Sequence, residues 1–175
     1  FLPGSFQGTW INTKGDPIPN LRRVAGLSEQ QQRAQLRFLN EMNEDHRNRV
    51  DAESRLTARI KSFELAYRMQ QEAPECVDVD SEPEHIRKLY GLDNGKCSHF
   101  ARQCLMARRM IERGVRYVQI YSGGMENQRS WDGHNDIAGN HGGFAGETDQ
   151  PIAGLLQDLE ESGLLDETLV VVVES

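Results

Sequence analysis

The sequence contains no apolar run close to the roughly 20 residues that a bilayer-spanning helix requires, so no membrane span is expected. It also lacks an excess of positive charge. Against 27 Asp and Glu stand only 20 Lys and Arg, giving a formal charge of -7 and a pI near 5.3. Backbone phosphates demand clustered cations, whereas the arginines here are scattered beside glutamates, so no nucleic-acid partner is expected. Cysteine is scarce. Cys76, Cys97 and Cys104 are odd in number and show no Cys-x-x-Cys spacing, so neither a disulfide framework nor a zinc knuckle is indicated. Cys104 falls on an apolar helix stripe, where packing is the expected role.

Enough is present to build a core. Hydrophobic residues make up 37% of the chain, while 27% charged residues and a mean hydropathy of -0.65 imply wet helix surfaces. The sequence opens at Phe1 and stops at Ser175, just after the apolar run Leu169-Val170-Val171-Val172-Val173, which reads as a buried strand. We therefore expect this stretch to be part of a longer protein.

Residues 1–27 are rich in Gly and Pro and read as an irregular segment. A helical region is expected over 28–95. Ser28 with Glu29 and Gln31 suits a capped helix start, and Leu36, Leu39 and Met42 carry the helix to about Arg47. Leu56, Ile60, Phe63 and Tyr67 then fall on one face of a second helix, from Val50 to about Glu72. The acidic stretch Asp78, Asp80, Glu82 and Glu84 lacks the Gly and closing Glu of a calcium loop and reads as a solvated loop. Pro83 opens a short helix ending near Gly91.

An α/β core is expected over 96–175. Ser98 can cap a helix with the stripe Phe100, Cys104, Ala107 and Ile111, ending at Gly114. Alternation over Val115–Tyr121 predicts a strand, 122–146 a polar loop, Ile152 to Gly163 a helix, and Thr168–Val173 a second strand. Strand, helix, strand makes a βαβ unit, whose parallel strands would deliver their trailing loops to one rim of a sheet, the usual place for a ligand.

The loop 122–146 holds the densest chemistry. Asp132, His134, Asp136 and His141 crowd into ten residues, and Glu174 would leave the second strand toward the same rim. Imidazole with carboxylate suits zinc or manganese better than calcium or magnesium, and such a divalent metal can polarise an ester oxygen. Against this stands the simpler reading of a surface loop whose Asp and Asn residues make turns. His46, His85 and His99 read as solvated or helix-start residues, and Arg102, Arg108, Arg109 and Arg113 as a solvated or salt-bridged helix face.

A set of motifs sharpens this reading. Phe6-Gln7-Gly8-Thr9, Pro17-Ile18-Pro19-Asn20-Leu21, Phe63-Glu64-Leu65-Ala66-Tyr67-Arg68-Met69, Phe100-Ala101-Arg102-Gln103-Cys104, Trp131-Asp132-Gly133-His134 and Gly163-Leu164-Leu165-Asp166-Glu167-Thr168-Leu169 resemble, in order, a bacterial family called domain of unknown function 1501. The family is often labelled sulfatase-like and placed in the alkaline-phosphatase superfamily. That resemblance implies a parallel sheet flanked by helices, seen here as a helix-rich part with the βαβ unit. It also implies hydrolysis of phosphate or sulfate esters, a small-molecule or glycan ester as substrate, and export to the periplasm or cell surface.

By the same resemblance Asp132 and His134 match the family's Trp-Asp-x-His motif as metal ligands, with Asp136 and His141 as neighbours. Family members continue their last strand into Glu-Phe-Gly-Arg-Thr-Pro, whereas this chain reads Val173-Glu174-Ser175, which puts Glu174 one residue out of register with the family's acid. The Cys-x-Pro-x-Arg signature of formylglycine sulfatases is absent, and the superfamily's nucleophile is expected before Phe1. The rival reading is a non-catalytic protein of the same fold that binds sulfated or phosphorylated glycans.

Overall fold

The computed structural model describes residues 8–13, 15, 17–18, 26–49, 75–123 and 131–173. The chain divides into two compact units, Phe1–Glu75 and Cys76–Ser175. The expected helix from Val50 to about Glu72 lies outside the described residues, as does Glu174.

In the first unit, helix α1 spans Glu29–Arg49. Its start is fixed reciprocally. Ser28 Oγ accepts from the Gln31 amide at 3.2 Å, while Gln31 Oε1 accepts from the Ser28 amide at 2.9 Å. Two amide donors that no helical turn can satisfy are thereby paired, the capping box that Ser28 and Gln31 predicted.

The second unit is helical. A 3-10 turn at Val79–Ser81 precedes α2 (Glu84–Tyr90), α3 (Ser98–Glu112) and α4 (Ile137–Glu161), and a second 3-10 turn follows at Leu164–Glu167. Helices α2 and α3 both pack on α4, and on each other. The core comprises Tyr90, Leu92 and Cys97, then Ala101, Cys104, Leu105 and Ala107 of α3, and Phe144, Leu155 and Leu159 of α4. Phe100 and Ile111, expected on the buried stripe of α3, are only half buried.

Two glycines allow the close packing. Gly91 ends α2 at φ 79°, and a Cβ there would stand 2.6 Å from Cys97 Sγ. Gly154 lets α4 cross the end of α2, since a Cβ there would come within 2.9 Å of the Leu89 carbonyl oxygen.

The expected α/β class is overturned: among the described residues there is no strand and no sheet, hence no parallel sheet and no βαβ unit. Val115–Tyr121 and Thr168–Val173 run as irregular chain, with Tyr117 77% and Leu169 88% exposed. Alternation and β-branched side chains make a segment fit for a strand, but the strand exists only when a neighbouring backbone exchanges hydrogen bonds with it. Neither segment finds that partner among the described residues.

The expected polar loop 122–146 is also shorter than its composition suggests. From Ile137 onward it is the first part of α4, despite Gly139, Gly142, Gly143 and Gly146. Burial of Phe144, Leu155 and Leu159 along this helix outweighs about 1 kcal/mol of helix propensity lost at each glycine. Pro151 lies inside the same helix and is buried. No helix among the described residues is long and apolar enough to cross a membrane.

Candidate functional site

The loop that carries the candidate residues is anchored at both ends by named contacts. Asp136 is the N-cap of α4, and its Oδ1 accepts from the Gly139 amide at 2.9 Å. Ahead of it, Gly133 passes so close to the helix that a Cβ would stand 3.0 Å from Ile137 Cα. Trp131 stacks on the buried ring of Phe144, with centroids 5.0 Å apart and planes at 23°, and its Nε1 donates to Ser122 Oγ at 3.2 Å.

Between these anchors Asp132 and His134 come together, His134 Nδ1 meeting Asp132 Oδ1. Both side chains are open to solvent. The carboxylate only accepts, so Nδ1 carries the proton in this pair, and Nε2 is the ring nitrogen left to face a ligand. A carboxylate fixing one ring nitrogen and thereby presenting the other is the arrangement that orients histidines toward metals.

His141, one turn into α4, is held differently. Its Nε2 lies 2.7 Å from the Trp131 carbonyl oxygen, which can only accept, so this histidine donates there. Its ring leans on Trp131 at 57°, centroids 5.8 Å apart. Of the five residues expected to form the site, the structure thus joins Asp132 to His134, commits the Asp136 carboxylate to the helix cap and ties His141 to Trp131. Glu174 lies outside the described residues. No group of three or more His, Cys, Asp or Glu able to hold a metal forms among the described residues. The free Nε2 of His134 suits zinc or manganese by type and would be one ligand of such a set, with Asp132 behind it as the orienting partner.

A second polar cluster lies elsewhere, centred on the buried Arg108. Arg108, 7% exposed, donates from Nη1 to Glu112 Oε1 at 2.7 Å, ion-pairs through Nη2 with Glu82 Oε2 at 3.0 Å, and places Nε 3.0 Å from Asp158 Oδ2. Tyr90 donates its hydroxyl to that same Asp158 oxygen at 2.8 Å. Glu82 also pairs with Arg109, while Arg102 forks onto Asp80 at 2.6 and 3.1 Å. This guanidinium hydrogen bond holds the Asp80 carboxyl below its usual range.

Burial works to lower the Arg108 pKa, but the Glu112 hydrogen bond and the Asp158, Glu112 and Glu82 charges override it and secure the cation. Sequence reasoning read the acidic stretch as a solvated loop and the arginines as a solvated or salt-bridged helix face; Arg108 is salt-bridged but buried, and the Glu82 side chain is buried with it. Glu112 lies one helical turn from Arg108, but Glu82 and Asp158 are too far away in sequence for spacing to reveal them.

A family model described as Protein of unknown function (DUF1501) matches residues 1–174 of the chain. No curated protein and no solved structure matches it.

Proposed function

The chain belongs to the DUF1501 family, and from that premise we propose that it is a metal-dependent hydrolase of phosphate or sulfate esters, with His134, oriented by Asp132, holding a divalent cation, zinc or manganese. The observation that carries this reading is the solvent-open Asp132–His134 pair, which presents an oriented imidazole at the end of a braced loop. Glu174 is the candidate for a further ligand, and the sulfatase-like kinship suggested by the Trp131-Asp132-Gly133-His134 motif fits the same activity. The proposal rests on this pair and its loop, without a sheet beneath it.

A bound cation would supply Lewis acidity toward an ester oxygen and lower the pKa of an attacking group. The chain's own residues do the positioning. Asp132 selects the His134 tautomer and adds a negative charge beside it, while Asp136 and Trp131 hold the loop ends in place.

The deciding experiment compares metal content in the protein and its His134→Ala variant, alongside turnover of an aryl phosphate and an aryl sulfate. We expect metal and turnover to fall together in the variant. Equal metal in both proteins would remove the proposed ligand, and metal retention with no turnover of either ester would move the reading to a glycan-binding protein.

A further inference from the structure

We infer that Trp131 is the stacking platform for the sugar ring of an anionic carbohydrate ester, so that the substrate class of the candidate site is sugar phosphates or sugar sulfates. This rests on the ester-hydrolase reading above and adds to it the part of the substrate that does not react.

Trp131 stands next to Asp132 in the chain, yet 39% of it remains exposed. Exposure of a large aromatic ring beside polar groups is common in recognition sites, because the ring offers much contact area with few rotors to freeze. Here the ring is also fixed in advance. Phe144, itself 1% exposed, backs one face, Ser122 holds the indole N–H, and His141 grips the Trp131 carbonyl. A platform already held in place loses little conformational freedom when a ligand arrives.

The geometry favours a sugar over a flat base. A pyranose has a C–H face, polarised by its ring and hydroxyl oxygens, and a rim of hydroxyls. The C–H face suits the negative face of an indole, and the rim suits the carboxylate and imidazole of Asp132 and His134, both open to solvent. His141 meets Trp131 at 57°, forming a corner that accepts a puckered ring; a nucleobase stacks best in a parallel slot. The charge of -7 disfavours a polyanion more than a small ester carrying one anionic group.

The chain contains two tryptophans, Trp10 and Trp131, so a Trp10→Phe variant leaves Trp131 as its sole indole reporter. Titrating that protein with a hexose monophosphate or a hexose monosulfate should give saturable quenching, while inorganic phosphate and sulfate should give none. By calorimetry, Trp131→Ala should weaken sugar-ester binding about tenfold, the size of one lost aromatic contact, with Trp131→Phe recovering most of it. The fluorescence arm needs no change at Trp131, so it decides the matter even if the alanine variant fails to fold.

Quenching by inorganic anions equal to that by sugar esters, or tighter binding of a nucleoside monophosphate, would overturn the assignment. A neutral methyl hexoside should still quench Trp131 after metal removal. Quenching that persists while His134→Ala keeps its metal would defeat the hydrolase reading alone; metal loss in that variant without any sugar-dependent quenching would defeat the platform alone.

Discussion

Tyr90 and Asp158 join across 68 positions of sequence, the tyrosine hydroxyl donating to the carboxylate at 2.8 Å where both residues are buried. This bond ties the end of α2 to the last turns of α4, and Arg108 of α3 brings the third helix to the same carboxylate. A hydrogen bond to a charged acceptor contributes about 2 kcal/mol, whereas removing the cation from a buried ion pair costs about 4 kcal/mol because its carboxylates stay behind uncompensated. Tyr90→Phe should therefore lower unfolding free energy by about 2 kcal/mol and Arg108→Ala by about twice that, read from urea midpoints. A Tyr90→Phe loss below about 0.5 kcal/mol would show that the bond does not hold the helices together.

Stability should also fall on the alkaline side. Burial pushes the Cys104 thiol from 9.0 up to about 12. Burial, with the Asp158 hydrogen bond and charge, pushes the Tyr90 hydroxyl well above its usual 10.0. Both groups keep their proton in the folded state while the unfolded chain loses it, so their contribution is complete below pH 9 and declines as pH rises. Each group should cost roughly 1 kcal/mol per pH unit above its ordinary value. Urea unfolding between pH 8 and 11 should show this decline. Cys104→Ala should flatten the slope from pH 9 upward and Tyr90→Phe from pH 10 upward, and unchanged slopes in both variants would contradict the assignment.

What could be read from sequence divides by range. The Ser28–Gln31 capping box and the stop at Gly91 were legible because their causes lie within a few residues. Asp132 and His134 stand two positions apart, so their closeness follows from the sequence, but the hydrogen bond between them was not foreseen. The start of α4 was not legible, because four glycines speak against a helix locally and only the burial of Phe144, Leu155 and Leu159 along the whole helix reverses the balance. Val115–Tyr121 and Thr168–Val173 misled in the opposite direction: their side chains suit a sheet, but a sheet is a property of two segments, and no pattern in one supplies the other. The Arg108 cluster escaped detection because Glu82 and Asp158 meet it only through the packing of α3 and α4 with the turn before α2.

The cap at the head of α4 offers a test in which the sign of an effect reverses. Asp136 Oδ1 accepts from the Gly139 amide, and a Cβ added at Gly139 would run into that same carboxylate. Asp136→Ala should cost about 1 kcal/mol, the usual value of a lost N-cap, while Asp136→Asn should cost little because its amide oxygen can still accept. Gly139→Ala would ordinarily gain up to about 1 kcal/mol of helix propensity, but beside Asp136 it must displace the cap and so should destabilise. In the Asp136→Ala background the obstacle is gone, and the same Gly139→Ala change should become stabilising. A double-mutant cycle in urea reads the coupling directly, and additive effects across the four proteins would show that Asp136 does not cap this helix through Gly139.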